Sequence, residues 1–116
     1  MAFTDLEIAE HTITLEKHFW AHRRPPLHLR ERIREGQRFT EHAIELFLVR
    51  PIFDRPDEHI EESIAKMQYV RSKDTWHLFW KRADGKWHRY PPCPEAKSLA
   101  AALGVIDKDP NGCFFG

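Results

Sequence analysis

A chain of 116 residues with 41% hydrophobic and 12% aromatic content can bury about two-thirds of its unfolded surface in one core without needing disulfides or metal to hold it. Eighteen Lys plus Arg balance eighteen Asp plus Glu, so no global field draws the chain to nucleic acid or anionic lipid, and any such binding must be local. Cys93 and Cys113 make no disulfide framework or metal-ligand spacing, the first residues form no basic-then-apolar leader, and no run of about eighteen apolar residues occurs; a single cytoplasmic domain over residues 1–116, with no membrane span, is expected.

Thr4 and Glu7 stand in capping-box spacing and open a helix predicted to reach Trp20 or His22, where Arg23-Arg24-Pro25-Pro26 stops it. At about 100° per residue, Leu6, Ala9, Ile13 and Trp20 form one apolar flank and Ile8, Leu15 and Phe19 the other. A stripe this wide suits a helix lying across a sheet. Glu7, Glu10, His11, Thr14, Lys17, His18 and His22 then face water. His18 and His22 have the i, i+4 spacing that chelates zinc, but no Cys or acid completes a tetrahedral set, so a surface His cluster is the commoner reading.

Leu27 to Arg38 reads as a first strand with Arg30, Arg32 and Arg34 on one side and Leu29 and Ile33 on the other. Ala43 to Arg50 is a near-continuous apolar run ended by Pro51, as expected of a central strand. Pro51 to Glu61, rich in charge and proline, is predicted to be a loop. Ile64–Arg71, Thr75–Arg82 and Lys86–Tyr90 complete a meander, joined by turns at Lys73-Asp74 and Asp84-Gly85. Pro94 at a first helical position and the Leu99–Leu103 run predict a second helix that ends at Gly104 or continues through Ile106. The terminal Phe114-Phe115 pair is expected to dock on the core. The fold class is therefore α+β: an N-terminal helix, a five-stranded antiparallel meander sheet and a C-terminal helix.

Arg50-Pro51, Lys66 followed by Tyr69-Val-Arg71, then Trp76-x-x-Phe79-Trp80-x-Arg82-Ala-Asp84-x-Lys86-Trp87-x-x-Tyr90 and the ending Phe114-Phe115-Gly116 resemble the bacterial family called Domain of Unknown Function 3024. The resemblance spans most of the chain and implies a small bacterial cytoplasmic domain. It carries over no activity, cofactor or catalytic residue.

A two-residue Asp84-Gly85 turn pairs Arg82 with Trp87, Lys81 with His88, Trp80 with Arg89 and Phe79 with Tyr90. Trp76, Leu78, Trp80 and Trp87, with Met67 and Tyr69, then form one apolar face under the N-terminal helix, rimmed by Arg71, Arg82 and Arg89. The opposite face carries Lys66, Gln68, His77, Phe79, Lys81, His88 and Tyr90. A half-apolar face of this kind implies either burial by the second helix, the Phe pair or a partner chain, or a platform on which bases stack while Lys66, Lys81 and the Arg30, Arg32, Arg34 row meet phosphates.

The functional expectation is a non-enzymatic binding module, self-associating as a homodimer or binding a protein partner through that face or an open sheet edge, with Arg30, Arg32, Arg34, Lys66, His77, Phe79, Lys81, His88 and Tyr90 as contacts. No cofactor is expected. Nucleic-acid binding through the same residues is the alternative. A small metal-dependent nuclease or hydrolase using Glu45, Lys66 and the acidic segment Asp54, Asp57, Glu58, Glu61 and Glu62 is a third reading.

Overall fold

The computed structural model describes residues 2–109 and 112–114. It has an N-terminal helix, a five-stranded antiparallel sheet whose strands neighbour one another in chain order, and a C-terminal helix, with one short extra strand. No helix among the described residues is long and apolar enough to cross a membrane.

The capping box forms as its spacing predicts: Glu7 N donates to Thr4 Oγ1 at 3.1 Å and Thr4 N to Glu7 Oε1 at 3.0 Å, satisfying two orphan donors of the first turn. The α-helix Asp5–Leu15 then widens into a π-turn, Glu16–Trp20, in which Ala21 N reaches back to Glu16 O, and closes with Ala21–Arg23. In such a turn residue i+5 sits nearly over residue i, so Trp20 comes round to the side of Leu15 and Phe19, and all three bury. The wide stripe expected from a uniform helix does not form. Leu6 and Ile13 stay 69% and 68% exposed, while His11, expected to face water, lodges edge-on against Phe3 and Trp76 at centroid distances of 5.4 and 5.2 Å.

The predicted strand Leu27–Arg38 is only half a strand. A 3-10 turn at Leu27–Leu29 and backbone bonds from Arg32 N and Ile33 N to Leu29 O satisfy this stretch locally, because the chain must first return from the helix end to the sheet. β1 is Arg34–Phe39, so Arg30 and Arg32 are not in a strand row with Arg34. β2 (Ala43–Ile52) and β3 (Arg55–Val70) are longer than predicted, since the supposed loop is the outer part of their hairpin. Pro51 and Pro56 are tolerated there because the pairing is irregular between Pro51 and Ile52 and this part of the hairpin lies beyond the neighbouring strands. β4 is Thr75–Lys81, β5 Trp87–Arg89 and β6 Glu95–Ala96; β5 and β6 share one edge of β4, so the chain is in a strand where the second helix was expected to begin. The C-terminal helix, Leu99–Lys108, is capped by Ser98 and passes through Gly104 to end on Asp109, whose φ of 40° is left-handed.

The turn at Lys73-Asp74 holds as predicted and pairs Tyr69 with Trp76 and Met67 with Leu78. The next hairpin differs by one residue. Arg82 N donates to Lys86 O at 3.1 Å and Gly85 N to Arg82 O at 2.9 Å, closing a three-residue Ala83-Asp84-Gly85 loop with Gly85 at φ 77°. The Asp84 carboxylate selects this loop by accepting from Lys86 N at 2.9 Å and meeting His88 Nε2 at 2.9 Å. Lys81 therefore pairs with Trp87, Trp80 with His88 and Phe79 with Arg89. A one-residue slip turns every side chain over. Trp87 consequently lies on the face opposite Trp76 and Trp80, and His88 and Tyr90 leave the outer face to which they were assigned.

Both helices lie on one face of the sheet. Leu15, Phe19 and Trp20 from one, and Leu99, Ala102, Leu103 and Ile106 from the other, roof Ile44, Leu46, Met67, Trp76, Leu78 and Tyr90 in a single cluster. Phe114 docks there as expected, 4.7 Å from Tyr90, whereas Phe115 lies outside the described residues. The roof is pinned at its margins: Trp20 Nε1 donates to Gln37 Oε1 at 3.0 Å, Arg24 pairs with Glu16 and Glu35, and Arg71 grips Glu7 through both nitrogens at 2.9 and 3.0 Å.

Candidate functional site

Strand alternation that sends Leu46, Met67 and Leu78 to the roof sends their neighbours outward. Register places Arg34 and Arg38 of β1, Glu45 and Phe47 of β2, Lys66 of β3, His77, Phe79 and Lys81 of β4, and Trp87 and Arg89 of β5 on this second face. No helix covers it. The rings are dressed by cations instead: Arg38 lies 4.8 Å from the Phe47 centroid, Lys66 5.7 Å and Arg89 5.8 Å from that of Phe79, and Lys81 5.4 Å from that of Trp87. Phe47 sinks over Gly36, where any side chain would meet its ring, and is 9% exposed; Phe79 and Trp87 remain half-buried.

Carboxylates offset part of this charge. Arg38 bonds Glu45 at 3.1 Å and Glu61 at 2.7 Å, and Glu95 Oε1 lies 3.2 Å from His77 Nε2 and 3.9 Å from Arg89. Among the described residues Lys66 has no carboxylate at ion-pair distance, and Lys81 reaches only Ser63 Oγ at 3.4 Å. Thr75 Oγ1 and His77 Nε2, both buried on this face, have no aligned hydrogen bond, the Glu95 contact being an ion-pair distance without donor geometry.

Lys66, His77, Phe79 and Lys81 are thus together as predicted, with Arg34 across the sheet. His88 faces the roofed side with its ring on Asp84, and Tyr90 is fully buried. Trp87, Arg89, Arg38 and Phe47 take part without having been predicted; the signal for the first two was Asp84, whose side chain lengthens the turn. Arg30 donates from Nε to Pro25 O at 2.9 Å, and Arg32 sits in the turn before β1.

The second exposed feature is the end of the β2–β3 hairpin. Residues 50–62 project past the neighbouring strands as a two-stranded arm, in a molecule 46 Å along its longest axis. Phe53 at the tip is 102% exposed and Ile60 44%. Pro51, Ile52, Phe53, Pro56 and Ile60, with Glu31, Arg32, Arg50 and His59, line a cleft of about 660 Å³ between the arm and the turn before β1. The arm carries Asp54, Asp57, Glu58, Glu61 and Glu62 against Arg50 and Arg55.

The family model for a domain of unknown function, DUF3024, matches residues 3–116. The chain belongs to this family. No curated protein and no solved structure matches the DUF3024 chain.

Glu45 and Lys66 are direct partners across β2 and β3, as the nuclease reading required, but Glu45 is held by Arg38, and the acids of the supposed loop are spread along the arm. No group of three or more His, Cys, Asp or Glu residues gathers in a metal-holding arrangement among the described residues. His22 lies 3.1 Å from Asp107, which also accepts from Arg23 Nε at 2.6 Å, while His18 is exposed one turn away.

Proposed function

We propose that the chain is a non-enzymatic, self-associating module whose β2–β3 arm meets a second copy. The observation that carries this reading is the arm itself: a hairpin that, among the described residues, pairs with no further strand along Arg55–Ile60, tipped by a fully exposed Phe53 and flanked by a cleft of mixed apolar and charged lining. Soluble proteins shield large apolar groups, and an arm that leaves Phe53 and Ile60 open is suited to a partner that covers them. Charge supports a second copy as that partner. The acidic arm complements Arg30, Arg32 and Arg34, none of which has a carboxylate within ion-pair distance among the described residues. A two-fold arrangement pairs each arm with the other's basic turn. Residues 27–34 and 50–62 supply about twenty residues a side, the number found in stable interfaces. The free thiols Cys93 and Cys113 suit the reducing bacterial cytoplasm.

Sedimentation equilibrium across a hundredfold range of concentration tests this. The parent chain should pass from monomer to dimer, and Phe53→Asp with Ile60→Asp should hold it as monomer with an unchanged circular dichroism spectrum. A parent that stays monomeric throughout, or a double variant that dimerises equally well, overturns the reading.

A further inference from the structure

The geometry points to the second sheet face as a binding site for single-stranded nucleic acid, read by stacking and charge rather than by base sequence. Phe79 and Trp87 sit on adjacent strands as diagonal neighbours, since Phe79 pairs with Arg89 and Lys81 with Trp87. Diagonal neighbours of this kind are about 7–8 Å apart, a separation that two successive unstacked bases can span. Around them stand Lys66, Lys81 and Arg89, each within 5.8 Å of a ring centroid and so placed for phosphates beside a base held on that ring.

Charge complementarity selects the occupant. The chain is neutral as a whole, but this face gathers Arg34, Arg38, Lys66, Lys81 and Arg89 against Glu45, Glu61 and Glu95. The acids are held by Arg38, His77 and Arg89, which leaves Lys66 and Lys81 without a carboxylate and beside the two half-buried rings. A polyanion with exposed π-faces answers both features. Duplex does not, because its bases are stacked inside and a flat sheet offers the rings nothing to enter. An apolar protein partner would have to bury the lysines unpaired, at a cost that a phosphate backbone avoids. This site is separate from the arm, so it stands or falls independently of self-association.

Fluorescence anisotropy with a labelled oligothymidylate of about 20 nucleotides, which exceeds the ~4–16-nucleotide footprint of sheet-based binders, tests the inference. Binding should weaken with salt at a log–log slope near about −2, for three cations at about −0.7 each. Phe79→Leu and Trp87→Leu, which keep an apolar side chain and remove the π-face, should each weaken binding about tenfold. Lys66→Glu with Lys81→Glu should abolish it while Lys66→Arg with Lys81→Arg retains it. A duplex of equal length should bind at least about tenfold more weakly. Phe53→Asp with Ile60→Asp should bind as the parent does. No anisotropy change at low salt, equal affinity for duplex, indifference to the two ring variants, or loss in Arg30→Glu with Arg32→Glu alone would each overturn the proposal.

Discussion

The two faces of this sheet keep their aromatic and aliphatic side chains from water by different means. On one, two helices roof Leu46, Met67 and Leu78 to zero exposure, and the polar contacts stand at the margin, where Arg71 meets Glu7 and Trp20 meets Gln37. On the other, no element among the described residues covers Phe47, Phe79 and Trp87, and the stems of Arg38, Lys66, Arg89 and Lys81 fold over them. A helical roof is permanent and removes whole side chains from solvent. A cover of long cationic side chains costs rotamer entropy, gives only about 0.5–2 kcal/mol per contact, and can be displaced. The first arrangement builds stability; the second leaves a surface that a ligand can open.

The sharpest way to break this contrast uses adjacent residues. Leu78 and Phe79 are neighbours on one strand that take opposite faces, and Leu78→Ala should cost about 2–5 kcal/mol in urea unfolding through lost burial and the cavity left behind. Phe79→Ala should cost about 1 kcal/mol, the share of a half-covered ring with two cation contacts. Equal costs would mean that the second face is as much a core as the first, and the distinction would fail.

Legibility in the sequence followed how local the deciding interaction is. The Thr4 and Glu7 capping box, the apolar strand from Ala43 and the turn at Lys73-Asp74 are settled by residues within a few positions of one another, and they stand as predicted. The π-turn is not local in this sense: only the sheet's need for Leu15, Phe19 and Trp20 together justifies widening the helix. The arm was hidden because proline and charge read as a loop wherever the sequence cannot show that a strand lies past its neighbours. At Asp84-Gly85 the same dipeptide serves a two-residue or a three-residue turn, and one carboxylate bonded to Lys86 N decides between them. That single choice replaced His88 and Tyr90 on the candidate face with Trp87 and Arg89 and left Lys66, His77, Phe79 and Lys81 where they were expected.

A second test asks how rigid the bare face is. A Cβ on Gly36 would stand 2.3 Å from Phe47 Cε2, so Gly36→Ala forces the ring to move or β1 to shift. Overpacking of this kind costs about 1–3 kcal/mol. Combining it with Phe47→Leu should recover part of the loss, giving a favourable coupling in a double-mutant cycle. A neutral Gly36→Ala would show that the Arg38 cover yields freely and that Phe47 is held only loosely.

The smallest effect is one of pH, and it belongs to the roofed side. The Arg71 guanidinium, with the Thr4 backbone N–H, lowers the Glu7 carboxyl from its ordinary 4.5 to about 2. Between those values the unfolded chain binds the proton that the folded chain refuses, so this contribution is complete above pH 4.5 and lost as pH falls toward 2. Asp107, lowered by Arg23 and then His22, acts in the same sense. His11 adds an earlier limb: burial against Phe3 and Trp76 lowers it from 6.5, outweighing the opposing pull of Glu7 and Glu10, so the unfolded state protonates first and stability declines as pH drops below 6.5. Thermal midpoints across pH 2–8 should therefore fall in two stages. His11→Gln should remove the upper stage and Arg71→Met should flatten the lower, each leaving the other in place. Loss of both stages in either variant would mean that His11 and Glu7 titrate as one unit, a coupling that the charge of Glu7 beside His11 makes worth excluding.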